Sequence, residues 1–287
     1  MTNKIKREKI NYLKKELKYE LKKNDLSANA AQLTFYILLS LLPMLLVVSN
    51  AIILFPITQE KIFVIARSIM PSEVYLILNP IFKSILDSVN GVTISFGLLT
   101  ALWSASRCFS TIQGALNNVY GTKKRRNFIV TRIFSFVMSL IVITLFGMLI
   151  FLFTFGENIM ETVKRNSYFK LLSFNFTVSS WFVTVIFLFT LFIVLFYFVP
   201  NVKWKIKFSI PGAIFSTIGI LFGNQLIRLY ITFFGDSFLG LGSMSLFIVF
   251  MLWLYLSMII FLWGALINVI YHKYSNEKNS YKNQFIK

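Results

Sequence analysis

Apolar runs near 33–55, 92–116, 133–155, 180–200, 209–233 and 243–270 set the rhythm of the chain, and polar stretches separate them. Each run supplies the roughly 20 apolar residues that a helix needs to cross a hydrocarbon core about 30 Å thick. A backbone in lipid must satisfy its own hydrogen bonds, so these runs predict helices. The expected fold is all-α, a polytopic membrane protein of six transmembrane helices, and an even number of crossings puts both termini on one side. Ahead of the first run, Ile10, Leu13, Leu17 and Leu21 recur at helical spacing among Lys14, Lys15, Lys18, Lys22 and Lys23. That pattern suits an amphipathic N-terminal helix on an anionic leaflet, with a solvated pre-anchor helix as the alternative. Between the first two runs, Ile62, Ile65, Ala66 and Ile69 precede Pro71, and Ile81, Phe82, Ile85 and Val89 follow Pro80. Short amphipathic helices on the outer face fit this segment, and a re-entrant segment is the alternative. The chain divides into a basic amphipathic segment 1–27, a six-helix transmembrane domain 28–271 and a tail 272–287.

Charge orients the spans. Residues 1–27 carry nine lysines and arginines, 117–132 five, 201–208 three and 271–287 four, 21 together; the intervening loops carry six. Cytoplasmic loops hold the excess of positive residues, so both termini are expected in the cytoplasm. The formal net charge of +18 is then mostly a topology signal, and nucleic acid is not expected as a partner. Of the 287 residues 56% are hydrophobic and 14% charged, against about 25% charged in soluble domains, and the mean hydropathy is +0.71. Residues 1–27 lack the short apolar core and small-residue cleavage site of a signal peptide, so the first run reads as an uncleaved anchor. A lone Cys108 rules out an intrachain disulfide. Lysine outnumbers arginine, and Ile, Asn and Phe abound, which hints at an AT-rich bacterial genome.

Candidate binding residues are few. A charge at mid-bilayer costs about 2.5–3.5 kcal/mol on insertion scales, so an intramembrane arginine is a functional candidate. Arg107 shares a helical stripe with Ser104, Thr111, Gly114 and Asn118, a face that could line a cavity or hold a phosphate or carboxylate. Snorkelling of Arg107, with small hydroxyls packing helices, is the plainer reading. Arg228 follows Asn224 and Gln225 by four and three residues and could contact an outer headgroup, or simply snorkel to it. On the same span Gly212, Ser216, Gly219 and Gly223 predict close helix packing. Pro43 and Pro211 are expected to kink or begin helices. Catalytic chemistry is poorly supplied: the only histidine, His272, lies in the tail, Cys108 has no partner, and the eleven acids sit outside the spans or at their edges. No metal cluster, cofactor motif or nucleophile motif is present, so neither an enzyme nor a cofactor is expected.

Ala30-Ala31 through Phe35-Tyr36, Leu39-Ser40-Leu41-Leu42-Pro43 and Ala101-Leu102-Trp103-Ser104-Ala105-Ser106-Arg107 come first in a series of short stretches. Ala115-Leu116-Asn117 with Tyr120-Gly121, Pro211-Gly212-Ala213, and Trp253-Leu254-Tyr255-Leu256-Ser257 followed by Gly264-Ala265 complete it. In this order they resemble the YihY/BrkB family of bacterial inner-membrane proteins, once mislabelled ribonuclease BN, over nearly the whole chain. The resemblance implies six helices in the bacterial cytoplasmic membrane and no settled activity, with suggestions of envelope or lipid transport. It also exposes one departure. The family's last span typically reads Gly-Ala-Glu-Leu-Asn, but Leu266 stands here at the glutamate position, so no role of that acid carries over. The leading expectation is a transporter-like protein that binds or moves an anionic lipid or other amphiphile, with membrane lipids as partners. The alternative is a scaffold or assembly factor of the envelope, with protein partners unnamed.

Overall fold

The computed structural model describes residues 15–39, 109–122, 176–239 and 243–284, with scattered positions between 64 and 83 and between 133 and 151. Helix α1 spans residues 15–23 and ends at Asn24; Asp25 restarts the chain as the N-cap of α2, Leu26–Leu39, its Oδ1 accepting from the Ala28 amide at 3.0 Å. A carboxylate at this place satisfies an amide that the first helical turn leaves open and also meets the positive end of the helix dipole. Helix α3 covers residues 109–119, α4 is Phe176–Phe198, α5 is Ile210–Leu239 and α6 is Ser243–Gln284. A 3-10 turn, Ile206–Phe208, leads into α5, where Pro211 is the second residue and costs no internal hydrogen bond. Among the described residues all regular structure is helical.

Among the described residues three stretches are long and apolar enough to cross a membrane: Trp181–Phe198, Ile206–Phe234 and Phe247–Asn276. They coincide with the last three predicted runs. Of the first three runs, α2 covers the start of one and α3 the end of the next, and the described positions between 133 and 151 are helical. The remainder of those runs, and with it the count of six, lies outside the described residues. The same holds for most of the 56–91 segment, where the described turns at 67–69 and 75–76 flank Pro71 and place Ile69 and Met70 against the bundle.

Burial follows the logic of a lipid solvent. Ile186, Phe222 and Phe233 face outward while Thr184, Ser216, Thr217 and Asn268 are buried. Hydroxyls turn back on their own helices, Thr217 to the Ala213 carbonyl and Ser257 to that of Trp253, each at 2.8 Å. The closest packing is between α5 and α6. A Cβ on Gly212 would strike the Gly264 carbonyl oxygen, one on Gly264 would strike Ser216 Oγ, and one on Gly219 would meet Ile260 Cγ2 at 2.6 Å. Small residues let the two backbones approach where no hydrophobic drive separates helix from lipid. The stripe expected to pack closely does so, Gly212 and Ser216 against Gly264, and Gly219 and Gly223 against Ile260.

Candidate functional site

A hydrogen-bonded cluster of polar side chains gathers at the end of the bundle that carries α1, where α3 and α4 end and α5 begins. Helix α3 stops in a Schellman arrangement: the Thr122 amide donates to the Asn117 carbonyl at 2.9 Å and the Gly121 amide to that of Asn118 at 3.1 Å. Gly121 takes φ +66°, the left-handed conformation that this cap requires. The stop positions Tyr120, and its ring lies 5.0 Å from Trp204, which in turn stacks on His272 at 3.8 Å. Asn268 Oδ1 accepts from the Gly212 amide at 2.7 Å, capping α5 from across the bundle, and its Nδ2 donates to Tyr120 Oη at 3.3 Å. Tyr120 donates onward to the Phe196 carbonyl at the end of α4. Asn268 is fully buried, so this chain of bonds ties three helix ends together where water cannot replace them.

Asn117 does a similar task from α3, its Oδ1 accepting from the Asn201 amide at 2.8 Å and from Thr122 Oγ1 at 3.0 Å. Its Nδ2 and Gln113 Nε2, one turn earlier, find no hydrogen-bond partner among the described residues although both side chains are buried.

Helix α1 is held edge-on by charge. Lys273 Nζ meets Glu20 Oε1 at 2.6 Å and Glu16 Oε2 at 2.8 Å, and Asn24 Nδ2 donates to the other oxygen of Glu20 at 3.0 Å. Glu20 is only 2% exposed. With Leu17 and Leu21 packed against the core, the opposite face of α1 presents Lys15, Lys18 and Lys22 outward, while the exposed Lys23 reaches with its Nζ toward Gly121 at the end of α3. Of the apolar face predicted for a leaflet, Leu17 and Leu21 are thus spent on the protein, while Ile10 and Leu13 lie outside the described residues.

Two concavities open along α1, and Trp263 lines both. One, about 530 Å³, is almost wholly apolar, with Leu17 above, Pro211 and Phe215 on one wall and Ile267, Ile270, Tyr271 and Tyr274 on the other. The second, about 470 Å³, lies at the break between α1 and α2 and is lined by Lys22, Lys23, Asn24, Asp25 and Ser27, with Leu21 and Leu26 toward Ile259. Such an arrangement can bind and orient a molecule with a polar and an apolar part. Among the described residues no three His, Cys, Asp or Glu side chains gather to hold a metal.

The sequence-predicted residues are distributed differently. Ser104 and Arg107 lie outside the described residues. Thr111 is half-buried and Asn118 exposed, whereas the amides that α3 buries are Gln113 and Asn117. On α5, Asn224 is committed to structure: its Oδ1 accepts from Trp253 Nε1 at 2.9 Å and its Nδ2 donates to the Ile69 carbonyl at 3.1 Å. Gln225 and Arg228 are exposed beside it. Sequence reasoning missed the Glu16–Glu20–Lys273 cluster. Its signal was an acid pair four residues apart beside Leu17 and Leu21, in a segment otherwise rich in lysine.

Several known proteins are similar to this chain. YfkH of Bacillus subtilis (strain 168), whose name calls it ribonuclease-like, is 29% identical over 250 residues, covering 86% of this chain and 90% of the relative. A UPF0761 membrane protein of Aggregatibacter aphrophilus is 25% identical over 262 residues, 89% and 90% of the two chains, and one of Idiomarina loihiensis is 28% identical over 173 residues, 58% and 56%. No solved structure matches the chain. The sequence pattern of the Virulence factor BrkB family matches residues 17–285, from Leu17 in α1 to the end of α6, and the protein belongs to that family of bacterial membrane proteins.

Proposed function

We propose that this protein binds, and in a transporter-like cycle moves, an anionic lipid or similar amphiphile of the cell envelope. The observation that carries the reading is the lysine face of α1, fixed outward by the buried Glu20–Lys273 pair at one end of a lipid-facing bundle. Lysines near a bilayer surface attract anionic headgroups at about 1 kcal/mol each. In this reading the lysine-rich end is cytoplasmic, both termini share that side, six helices cross the bacterial cytoplasmic membrane, and Arg107 and Arg228 are further headgroup contacts. The ribonuclease-like name of the Bacillus relative suggests an enzyme instead. RNA hydrolysis needs positioned acids, bases or metals, and Glu16 and Glu20 are engaged with Lys273 while His272 is stacked on Trp204. The lysine face favours a binding role without catalysis.

The test is mass spectrometry of lipids retained by the purified wild type and by Arg107→Ala, Arg228→Ala and Lys15/Lys18/Lys22→Gln variants matched for folding. Selective enrichment of an anionic lipid, reduced by loss of the lysines, is expected. Equal, unselective lipid in all of them would instead support a scaffold or envelope assembly factor.

A further inference from the structure

Trp263 separates a basic, polar concavity from an apolar one, and that juxtaposition is the outline of an amphiphile. We infer that the two form one binding site for a single anionic phospholipid of the adjacent leaflet, phosphate against Lys22 and Lys23 and one acyl chain in the groove below Leu17. The inference rests on the proposed anionic-lipid reading and gives it a place.

Four observations support it. The groove holds about 530 Å³, within the roughly 300–1,000 Å³ range of sites that enclose small ligands. Its walls are Pro211, Phe215, Ile267 and Ile270 with the rings of Tyr271 and Tyr274, an almost wholly apolar surface for an acyl chain. The second concavity is the more polar of the two, lined by Lys22, Lys23, Asn24 and Ser27 alongside Leu21, Leu26 and Ile259. Asp25 lines that concavity too, but its carboxylate caps α2 through the Ala28 amide. Trp263 belongs to both linings, and an indole with an apolar body and one N–H donor suits the boundary between headgroup and chain. The break at Asn24-Asp25 opens the polar concavity, and the Lys273 clamp sets Leu17 over the groove, so both halves depend on how α1 is docked.

The experiment uses the full chain in lipid nanodiscs containing phosphatidylglycerol with a diazirine near the middle of one acyl chain, or the matching phosphatidylcholine. After illumination, labelled peptides are located by mass spectrometry. Phosphatidylglycerol should label Phe215, Ile267 and Ile270 in preference to the lipid-facing Phe222 and Phe233, and phosphatidylcholine should not. Lys22→Glu with Lys23→Glu should cut groove labelling about tenfold. Ile267→Trp should do the same by displacing roughly two methylenes of burial. Because Ile267→Trp could disturb α6, the wild-type labelling pattern stands as an independent readout. Labelling spread evenly over α5 and α6, or unchanged in a folded charge-reversal variant, overturns the site. Anionic lipid retained selectively with the groove unlabelled would sink this inference alone; no anionic selectivity anywhere would sink the functional reading with it.

Discussion

Replacing Lys273 with methionine keeps most of the aliphatic stem and removes the ammonium that lies between two carboxylates and 5.6 Å from the centre of the Tyr19 ring. Glu20 is then left buried with only the Asn24 amide for company. Breaking a buried pair from one side costs about 3–5 kcal/mol because the orphaned charge stays desolvated. Here the Lys273 side chain is 37% exposed, so water makes good part of the loss and about 2–3 kcal/mol is a fair figure. If that energy holds α1 on α6, its opening equilibrium rises roughly 30- to 150-fold at about 1.4 kcal/mol per decade. The assay is hydrogen exchange in nanodiscs, read on peptides covering residues 15–24, because local opening and not global unfolding exposes those amides. Adding Glu20→Gln to Lys273→Met should restore most of the protection, since the stranded charge is gone. Glu16→Gln alone, at a partly exposed carboxylate, should cost about 1 kcal/mol or less. Unchanged protection in Lys273→Met, or equal effects of Glu16→Gln and Lys273→Met, would refute the claim that a buried charge pair docks α1.

Three further outcomes test the framework of the site. Gly264→Val should cost about 3 kcal/mol or more and sharply lower the yield of folded protein, because the new side chain meets the Gly212 carbonyl and Ser216; Gly147→Val, with no atom of the described residues within 4 Å of its Cβ, should stay within about 0.5 kcal/mol of wild type by thermal unfolding in the same detergent. Asn268→Leu should destabilise by about 1–3 kcal/mol through the orphaned Gly212 amide, and Tyr120→Phe, whose two bonds are 3.3 Å long, by about 1 kcal/mol or less; equal losses would contradict the assigned roles. Asn224→Leu should speed hydrogen exchange around Ile69 about tenfold by removing its tie to the bundle, while Arg228→Ala leaves it unchanged.

Apolar periodicity made the long helices legible: 180–200, 209–233 and 243–270 fall on α4, α5 and α6 because twenty carbon-rich residues have few alternatives in lipid. The glycines of α5 were legible for the same reason, since small residues at offsets of four, seven and eleven share one face. What the pattern hid was azimuth. On α3 a polar stripe through Thr111 and Asn118 and another through Gln113 and Asn117 differ by only one or two positions, and each position turns the face by about 100°. Nothing local says which stripe the bundle buries; that is decided by Asn201 and Thr122 meeting Asn117. Asn224 was singled out as a headgroup contact beside Arg228, yet its partners, Trp253 and Ile69, lie 29 and 155 residues away. The Lys273 clamp reaches across more than 250 residues and was equally invisible in the local charge pattern.

Leu266 sharpens the point about which polar groups this bundle can do without. It stands where the family's last span typically carries glutamate, and it is fully buried within the same apolar cluster as Phe196 and Leu262. An ionised carboxylate in that surrounding would need a cation or several donors to offset its desolvation. The polar work at this level of α6 is done two residues on by Asn268, a neutral group that both accepts from Gly212 and donates to Tyr120. A neutral amide can knit three helix ends together without importing a charge, so the junction is complete with leucine at 266. The proposed headgroup contact therefore falls where cations are exposed, at Lys22 and Lys23 beside Trp263, and not along the buried face of α6.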